Sequence, residues 1–241
     1  MLHKIILKKK IKKKININII VSRYNEDLDW LNNEPFNKYF IICYNKGVNN
    51  NFKINSPHKI IKLENIGKCD HTYLYHIINN YNYLPDIMIF LPGSNDIEYK
   101  LNKSILLIRY IEYFNELVNL GEISNNHVRN IFYNFKLDTW KTTHSNNILI
   151  NNDINTIKAN IRPYGKWYDY HFKDNKINFI SWWGIFATSN EVVRQKPIEY
   201  YNIFLEQLSV SSNPEVGHYI ERSWCAIFNL INSKIINYTP N

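Results

Sequence analysis

Short apolar runs that end abruptly in polar turns constrain the fold of this chain more than any other feature. Residues 15–21 alternate and then become wholly apolar, and they end in Ser-Arg-Tyr-Asn-Glu-Asp at 22–27. Residues 87–91, Ile-Met-Ile-Phe-Leu, are continuously apolar and are closed by Pro-Gly-Ser-Asn-Asp at 92–96. Continuous runs of this length are typical of strands that are buried on both faces of a sheet.

Two further runs, at 39–44 and 59–63, also predict strands that end in turn residues. Asp70 is a good N-cap for a following helix, and residues 101–120 have a longer amphipathic pattern that Gly121 would end. Strands that alternate with helices favour an α/β fold with a mainly parallel central sheet flanked by helices. Because ligands bind beyond the carboxyl ends of parallel strands, we expect the turns at 22–27, 64–71 and 92–96 to meet around one cleft.

The second half of the chain is less regular. The pattern loosens at 122–178, and long irregular segments of compact domains are often binding loops. Residues 179–188 predict a strand, a turn and a strand. Helices are then expected to begin near Ser189, at Pro197 and at Pro214, the last of them continuing to about Leu230.

Charge divides the chain into a basic tail and a nearly neutral body. The formal net charge is +8, of which six lysines at 8–14 supply 6, so 8 − 6 = +2 remains for the rest. We predict a flexible basic tail at 1–14 and a single domain at 15–241, a length that one core can support. The tail is either a solvated terminus or a tether to nucleic acid or an acidic membrane.

The cysteine pattern and the apolar runs bear on the compartment. Cys43, Cys69 and Cys225 are odd in number and far apart, so neighbouring cysteines form neither a disulfide framework nor a metal knuckle. Lysines interrupt every apolar run in the first fifteen residues, and no segment is apolar enough to span a membrane. We therefore expect a soluble, cytoplasmic protein.

Residues 21–31, Val-Ser-Arg-Tyr-Asn-Glu-Asp-Leu-Asp-Trp-Leu, form the most distinctive block of the chain. An apolar strand that enters a turn with Asn-Glu resembles the opening strand and nucleotide loop of GT-A type glycosyltransferases. More closely, the chain resembles an uncharacterised eukaryotic and bacterial domain family, well represented in fungi, that carries the same YNEDLxWL block. Further blocks match in order, among them GHYxERxW at 217–224. The resemblance covers most of residues 17–231 and implies a GT-A-like fold.

Two of the turns carry groups suited to a nucleotide-sugar donor. An aromatic ring and carboxylates after the first strand suit the base and ribose, and backbone N–H groups with a lysine before a helix suit the diphosphate. The expected donor-binding residues are Ser22, Arg23, Tyr24, Asn25, Glu26, Asp27, Asn65, Gly67, Lys68 and His71. The alternatives are an acidic turn that caps a helix, a strand-to-helix turn with a surface lysine, and a surface histidine.

The turn after the fourth strand bears on metal binding. GT-A enzymes usually present an Asp-x-Asp here whose carboxylates hold a divalent metal, and oxygen ligands suit Mg²⁺ or Mn²⁺. This chain offers Asn95 and Asp96, so the resemblance implies a metal site with one amide in place of an acid. Metal-free catalysis and an ordinary turn are the alternatives.

The last predicted helix has an apolar stripe and an opposite polar face. A glycosyl acceptor hydroxyl must lose a proton as it attacks, so a carboxylate or imidazole is required within hydrogen-bond range. The candidate catalytic residues are Glu215, His218, Glu221 and Arg222, the arginine neutralising the departing diphosphate. The same residues are also compatible with a solvated face.

Flat aromatic faces suit the CH face of a sugar ring, although paired tryptophans are more often core residues. The residues expected to bind the acceptor are Trp167, Trp182, Trp183 and Arg162. Arg162 either meets phosphate or packs on the aromatic rings around it.

The sequence favours an enzyme of the hexosyltransferase type, which moves a sugar from a nucleotide-sugar donor to a glycan, protein or small acceptor. A non-catalytic carbohydrate- or nucleotide-binding module is the first alternative, favoured by the missing second aspartate. A nucleic-acid-associated protein that uses its lysine tail is the second. The GxSxG, HExxH and P-loop patterns are absent, which disfavours those chemistries, whereas glycosidase carboxylates remote in sequence stay open.

Overall fold

The computed structural model describes residues 15–139, 156–173 and 175–239. Ten strands lie in these ranges: β1 (Ile17–Arg23), β2 (Phe40–Asn45), β3 (His58–Lys62), β4 (Ile87–Pro92), β5 (Val118–Ile123), β6 (Thr156–Ile157), β7 (Phe179–Ile180), β8 (Phe186–Ser189), β9 (Asn213–Pro214) and β10 (Lys234–Asn237). The predicted basic tail at 1–14 is outside the described residues.

Eight α-helices lie in the same ranges: α1 (Lys68–Asn79), α2 (Glu98–Phe114), α3 (Val128–Ile131), α4 (Tyr164–Phe172), α5 (Asn190–Val193), α6 (Ile198–Leu208), α7 (Glu215–Glu221) and α8 (Trp224–Ile227). A short 3-10 turn, Trp182–Gly184, connects β7 to β8. The predicted strand, turn and strand at 179–188 are therefore confirmed.

The central sheet has five strands in the order β3-β2-β1-β4-β8. β1 pairs in parallel with both β2 and β4, and β2 pairs in parallel with β3. β8 is antiparallel to β4. The protein is thus an α/β structure with a mixed sheet flanked by helices.

Alternation along the strands divides the core between the two faces of the sheet. Ile20 of β1 and Phe90 of β4 belong to one cluster, which includes Tyr73 and Leu74 of α1. The neighbouring β1 and β4 residues belong to a second cluster, in which Leu107 of α2 packs. Because successive side chains of a strand point to opposite faces, the continuous apolar runs fill both clusters.

The predicted helix over 101–120 was wrong from residue 115 onward. α2 ends at Phe114, where Asn115 adopts a left-handed conformation with φ 54°. Residues 118–123 form β5, which pairs with β10 and β7 in a second sheet. Leu120 is buried as a strand residue, because pairing with a distant segment overrides the helical spacing that continues from α2.

Three other helix boundaries also differ from the prediction. α1 begins at Lys68 with Gly67 as its N-cap, so Asp70 lies inside the helix instead of capping it. Part of the irregular segment, from Tyr164, is the helix α4. The predicted last helix is interrupted after α7, because Arg222 and Ser223 separate it from α8.

No helix among the described residues is both long and apolar enough to cross a lipid bilayer.

Candidate active-site cleft

The turns after β1 and β4 and the start of α1 lie against one another at the carboxyl edge of the sheet. The hydroxyl oxygens of Ser22 and Thr72 are 2.8 Å apart, and the Gly93 N–H donates to the Ser22 carbonyl oxygen at 2.7 Å. A Cβ on Gly93 would lie 2.7 Å from the Glu26 carboxylate, so the close approach of the two turns requires glycine here.

We call this edge the polar cleft. Its residues come from the turns after β1, β2 and β4, from the start of α1, from the first turn of α2, from the turn before β8 and from the end of α7. They are Ser22, Tyr24, Asn25, Glu26, Lys46, Gly67, Lys68, Cys69, Asp70, Thr72, Ser94, Asp96, Lys100, Trp183 and Glu221.

The turn after β1 presents an exposed aromatic ring above a fixed carboxylate. The Glu26 carboxylate accepts hydrogen bonds from the backbone N–H groups of Tyr24, at 2.6 Å, and Asn25, at 3.0 Å. Tyr24 is 46% exposed and the Asn25 side chain is also exposed. Asp27 accepts from the Asp29 N–H at 2.9 Å, as a turn residue does. Tyr24, Asn25 and Asp27 are therefore the exposed members of this turn.

Arg23 is committed to the loop that follows β2. It is 1% exposed, and its guanidinium donates to the side-chain oxygens of Asn45, Asn49 and Asn51 at 2.8–2.9 Å. It also lies over the Phe52 ring, with the guanidinium carbon 4.3 Å from the ring centroid. Arg23, predicted to touch the donor, thus organises the Asn-rich loop beside the cleft.

A buried lysine, Lys46, contacts the start of α1. Gly67 and Lys68 both adopt left-handed backbone conformations, with φ 56° and 49°. The ammonium group of Lys46 donates to the carbonyl oxygens of Ile66 and Lys68. Burial lowers the pKa of Lys46 to about 8. The Lys68 side chain is exposed, so its ammonium is free to face the cleft mouth.

Asp70 and Cys69, both inside α1, have raised pKa values. Asp70 is 5% exposed, and one of its carboxylate oxygens accepts from the Trp224 indole N–H at 2.8 Å. Burial, and next the negative charge of Glu221, raise the pKa of Asp70 to about 8. Burial raises the pKa of the neighbouring Cys69 thiol as well. Shifted carboxyl and lysine groups in one cleft are typical of functional sites, although buried structural networks produce them too.

Two other residues near α1 were predicted to bind the nucleotide-sugar donor, His71 and Asn65. His71 is 4% exposed, and burial lowers the pKa of its imidazole to about 4. Its ring stacks on Tyr75, with 6.2 Å between the centroids. Asn65 is exposed on the turn before α1.

The turn after β4 separates the two predicted metal ligands. Asn95 is fully buried, and its side-chain oxygen accepts from the Ser104 hydroxyl at 2.7 Å. Asp96 is exposed. Asn95 therefore points into the contact with α2, and Asp96 alone of the pair is open to a ligand.

Lys100, in the first turn of α2, contacts the turn after β4. Its ammonium donates to the Ser94 hydroxyl at 2.8 Å. Burial lowers the pKa of Lys100, while the charges of Glu221, Glu26 and Asp96 oppose that shift. This lysine is thus within electrostatic reach of the turns after β1 and β4 and of the end of α7.

Of the four catalytic candidates, Glu221 belongs to the cleft. Its carboxylate accepts from the Trp183 backbone N–H at 3.1 Å. Trp183 has φ 69°, a conformation that is strained for a residue with a side chain. Its ring lies 4.8 Å from the Tyr99 ring between centroids, and the buried Lys103 donates to the adjacent Trp182 carbonyl oxygen at 3.0 Å. A half-buried carboxylate and an aromatic face therefore adjoin.

Glu215, by contrast, is the centre of a buried ion pair. It is 1% exposed and accepts from the backbone N–H groups of Leu137, at 2.8 Å, and Ala159, at 2.9 Å. Its other contact is with Arg162, whose Nε lies 2.8 Å from the carboxylate. Arg162 also pairs with Asp138 at 2.6 Å. Both residues are thus occupied in joining the segments around 137, 159 and 215.

The two remaining candidates are His218 of α7, which is half-buried, and Arg222 directly after α7, which is buried. Arg222 is 5% exposed, and its guanidinium carbon lies 4.0 Å from the Phe135 centroid and 5.3 Å from that of Trp182. It donates to the His218 carbonyl oxygen at 2.7 Å. Burial, and then the charge of Lys68, lower the pKa of His218 to about 3.

The three predicted acceptor tryptophans fall in different places. Trp167 is fully buried and donates to Gln207 at 2.8 Å, so both of its faces lie in the core. Trp182 donates to Glu122 at 2.8 Å and covers Arg222. Trp183 alone of the three lies beside Glu221 in the cleft.

The family described as protein of unknown function (DUF3431) matches residues 19–237. The chain belongs to this family. The matched range of the DUF3431 domain includes every residue of the polar cleft. No curated protein matches the chain.

Several cleft residues of this DUF3431 chain were not among the predicted site residues: Lys46, Cys69, Asp70, Thr72, Ser94 and Lys100. Cys69, Asp70 and Ser94 lie in turns that were expected to meet around one cleft, whereas Lys46, Thr72 and Lys100 lie outside those turns. Three cavities of about 390–400 Å³ are also present, and none of their lining residues belongs to the cleft.

Proposed function

We propose that this DUF3431 chain is a glycosyltransferase-like enzyme that transfers a sugar from a nucleotide-sugar donor to an acceptor hydroxyl. The observation that carries the proposal is the meeting of the turns after β1 and β4 with the start of α1, tied by Ser22, Thr72 and Gly93. The donor would lie in this crevice.

Strand order supports a nucleotide at this position. The order β3-β2-β1-β4 is that of the first four strands of a doubly wound nucleotide-binding sheet. In such sheets the ligand binds outside the carboxyl ends of the strands, where the order reverses, which here is between β1 and β4. The resemblance of the Asn25-Glu26 turn to the nucleotide loop of GT-A enzymes supports the same location.

The exposed groups of the cleft suit different parts of a nucleotide-sugar donor. The Tyr24 ring suits a planar base, and Asn25 offers an amide to the base or ribose. The first turn of α1, with the ammonium of Lys68, suits the diphosphate because unpaired N–H groups and the helix dipole favour anions.

Glu221 is the proposed general base. The acceptor hydroxyl oxygen attacks the anomeric carbon, the bond from that carbon to the diphosphate oxygen breaks, and its electron pair leaves with the nucleoside diphosphate. Glu221 takes the hydroxyl proton, which a carboxylate held by the Trp183 N–H is placed to do. A single displacement of this kind inverts the anomeric centre. Trp183 and Tyr99 offer an aromatic face to an acceptor glycan.

A non-catalytic carbohydrate- or nucleotide-binding module on the same fold is the second candidate. The observation that favours it is the burial of Asn95 against Ser104, which leaves the β4 turn with one available carboxylate. Saturable nucleotide-sugar binding without turnover, by the wild-type chain and any acceptor tested, would favour the module.

Thermal unfolding in the presence of nucleotides tests the proposal. The unfolding midpoint is measured with nucleoside diphosphates and nucleotide sugars, with and without Mn²⁺. A ligand at one hundred times its dissociation constant adds about 2.7 kcal/mol of stability, which gives a clear shift. Lys68→Ala is expected to reduce the shift, whereas Lys59→Ala, an exposed lysine on β3, is the matched control. If no nucleotide moves the midpoint of the wild-type chain, the proposal fails.

A further inference from the structure

The side chains of the β4 turn do not fit the divalent metal that the GT-A resemblance implies. Asn95, in the place of one carboxylate, is fully buried and its oxygen already accepts from Ser104. Asp96 is left as a single exposed acid. Among the residues that the structure describes, no three His, Cys, Asp or Glu side chains are grouped so as to hold a metal ion.

A lysine ammonium is hydrogen-bonded to this turn. Lys100 begins the helix after the β4 turn, and its Nζ is 2.8 Å from the Ser94 hydroxyl oxygen. It is half-buried, and acidic groups from three separate segments act on it, namely Glu26, Asp96 and Glu221.

We propose that the Lys100 ammonium takes the place of a divalent metal at the donor diphosphate, so that this chain binds nucleoside diphosphates without a metal. This inference rests on the proposed function. Partial burial strengthens the attraction between an ammonium and a diphosphate, because water screens the charges less. The hydroxyl of Ser94 fixes the direction of the ammonium, and the exposed Lys68 supplies a second positive charge at the start of α1.

A binding experiment separates this inference from the proposed function. The dissociation constants of UDP, GDP and ADP are measured by calorimetry on the full chain, once in EDTA and once in Mn²⁺. We expect at least one of them to bind in EDTA, with an affinity within about threefold of that in Mn²⁺. Loss of a charge-assisted contact is expected to weaken that binding at least about tenfold in Lys100→Met, and less in Lys100→Arg.

The control variant is Lys166→Met, which removes an exposed lysine from α4 and should bind as the wild type does. Circular dichroism and the unfolding midpoint establish that each variant is folded. Binding that requires Mn²⁺ overturns the ammonium proposal and leaves the proposed function standing. Unchanged affinity in a folded Lys100→Met overturns it as well. If none of the diphosphates binds the wild type under either condition, the proposed function falls together with this inference.

Discussion

The hydroxyl oxygens of Ser22 and Thr72 lie 2.8 Å apart, which joins the end of β1 to α1 within the polar cleft. Both side chains are buried, Thr72 completely. Leaving a buried hydroxyl without a hydrogen-bond partner destabilises the protein by more than one hydrogen bond stabilises it. The effects on stability of substituting the two residues are therefore expected to be coupled.

Breaking this pair should therefore give non-additive losses of stability. Ser22→Ala and Thr72→Val are each expected to lower the free energy of unfolding by about 1–2 kcal/mol. The double variant should lose less than the sum, with a coupling of about 1 kcal/mol measured by urea denaturation. Ser209→Ala, an exposed hydroxyl at the end of α6, is the control. Simple additivity would show that the pair contributes no interaction of its own.

Glu221→Gln tests the proposed general base. The amide still accepts from the Trp183 N–H but takes no proton, so turnover is expected to fall at least about 100-fold. Nucleoside diphosphate affinity should stay within about threefold. Glu122→Gln, which alters the exposed acceptor of the Trp182 indole N–H, is the matched control. Full activity of Glu221→Gln would remove Glu221 from the mechanism.

Glu215→Gln should act on stability and not on the cleft. The substitution leaves Asp138 as the carboxylate that pairs with Arg162. It also weakens the hydrogen bonds that the side chain of residue 215 accepts from two backbone N–H groups. Removing one partner of a buried ion pair typically costs about 3 kcal/mol, which urea denaturation measures. The nucleotide-induced thermal shift should persist. Glu199→Gln, at an exposed α6 position, should change neither quantity.

The central strands were predictable because their signals are local. The continuous apolar runs that became β1 and β4 and the polar turns after them are visible in any short window. β5 was not, because the helical spacing of α2 continues through Leu117 and Leu120. Only the pairing of β5 with β10, more than one hundred residues later, decides its conformation.

The location of the candidate site was predictable, whereas the contacts of its side chains were not. Glu215 and Glu221 lie on one short helix and are chemically alike in sequence. They differ in their partners, which are Arg162 for the first and the Trp183 N–H for the second. Lys46 follows a strand as many surface lysines do, and only the folded chain reveals its burial. Partners distant in sequence therefore set the roles.

His76 should make the protein less stable in acid. Its ring is 1% exposed, and burial lowers its pKa from 6.5 to about 4. Below pH 6.5 the His76 imidazole becomes protonated in the unfolded chain, whereas in the folded protein it stays neutral down to about pH 4. The free energy of unfolding therefore falls as the pH drops from 6.5 towards 4. His76→Gln should reduce that loss by about 2–3 kcal/mol, measured by urea denaturation across this range. His58→Gln, at an exposed position on β3, is the control.

Asp70 should have the opposite pH dependence. Its pKa is raised from 3.8 to about 8, so between these values the folded carboxyl keeps a proton that the unfolded chain releases. Asp70 therefore lowers the free energy of unfolding progressively as the pH rises from 3.8 towards 8, and has no such effect below pH 3.8. Asp70→Asn removes this cost because an amide does not ionise. Its side-chain oxygen still accepts a hydrogen bond from the Trp224 indole N–H. The free energy of unfolding of the variant should therefore exceed that of the wild type by at least about 1 kcal/mol at pH 8.

The advantage of Asp70→Asn should shrink as the pH falls and vanish near pH 4, because both states of the wild type are then protonated. Urea denaturation at several pH values measures it, and Asp29→Asn, at an exposed position, is the control. A variant that is less stable than the wild type at pH 8 would mean that the folded protein holds Asp70 ionised. In that case the neighbouring lysines, Lys46 and Lys68, would outweigh burial and the charge of Glu221.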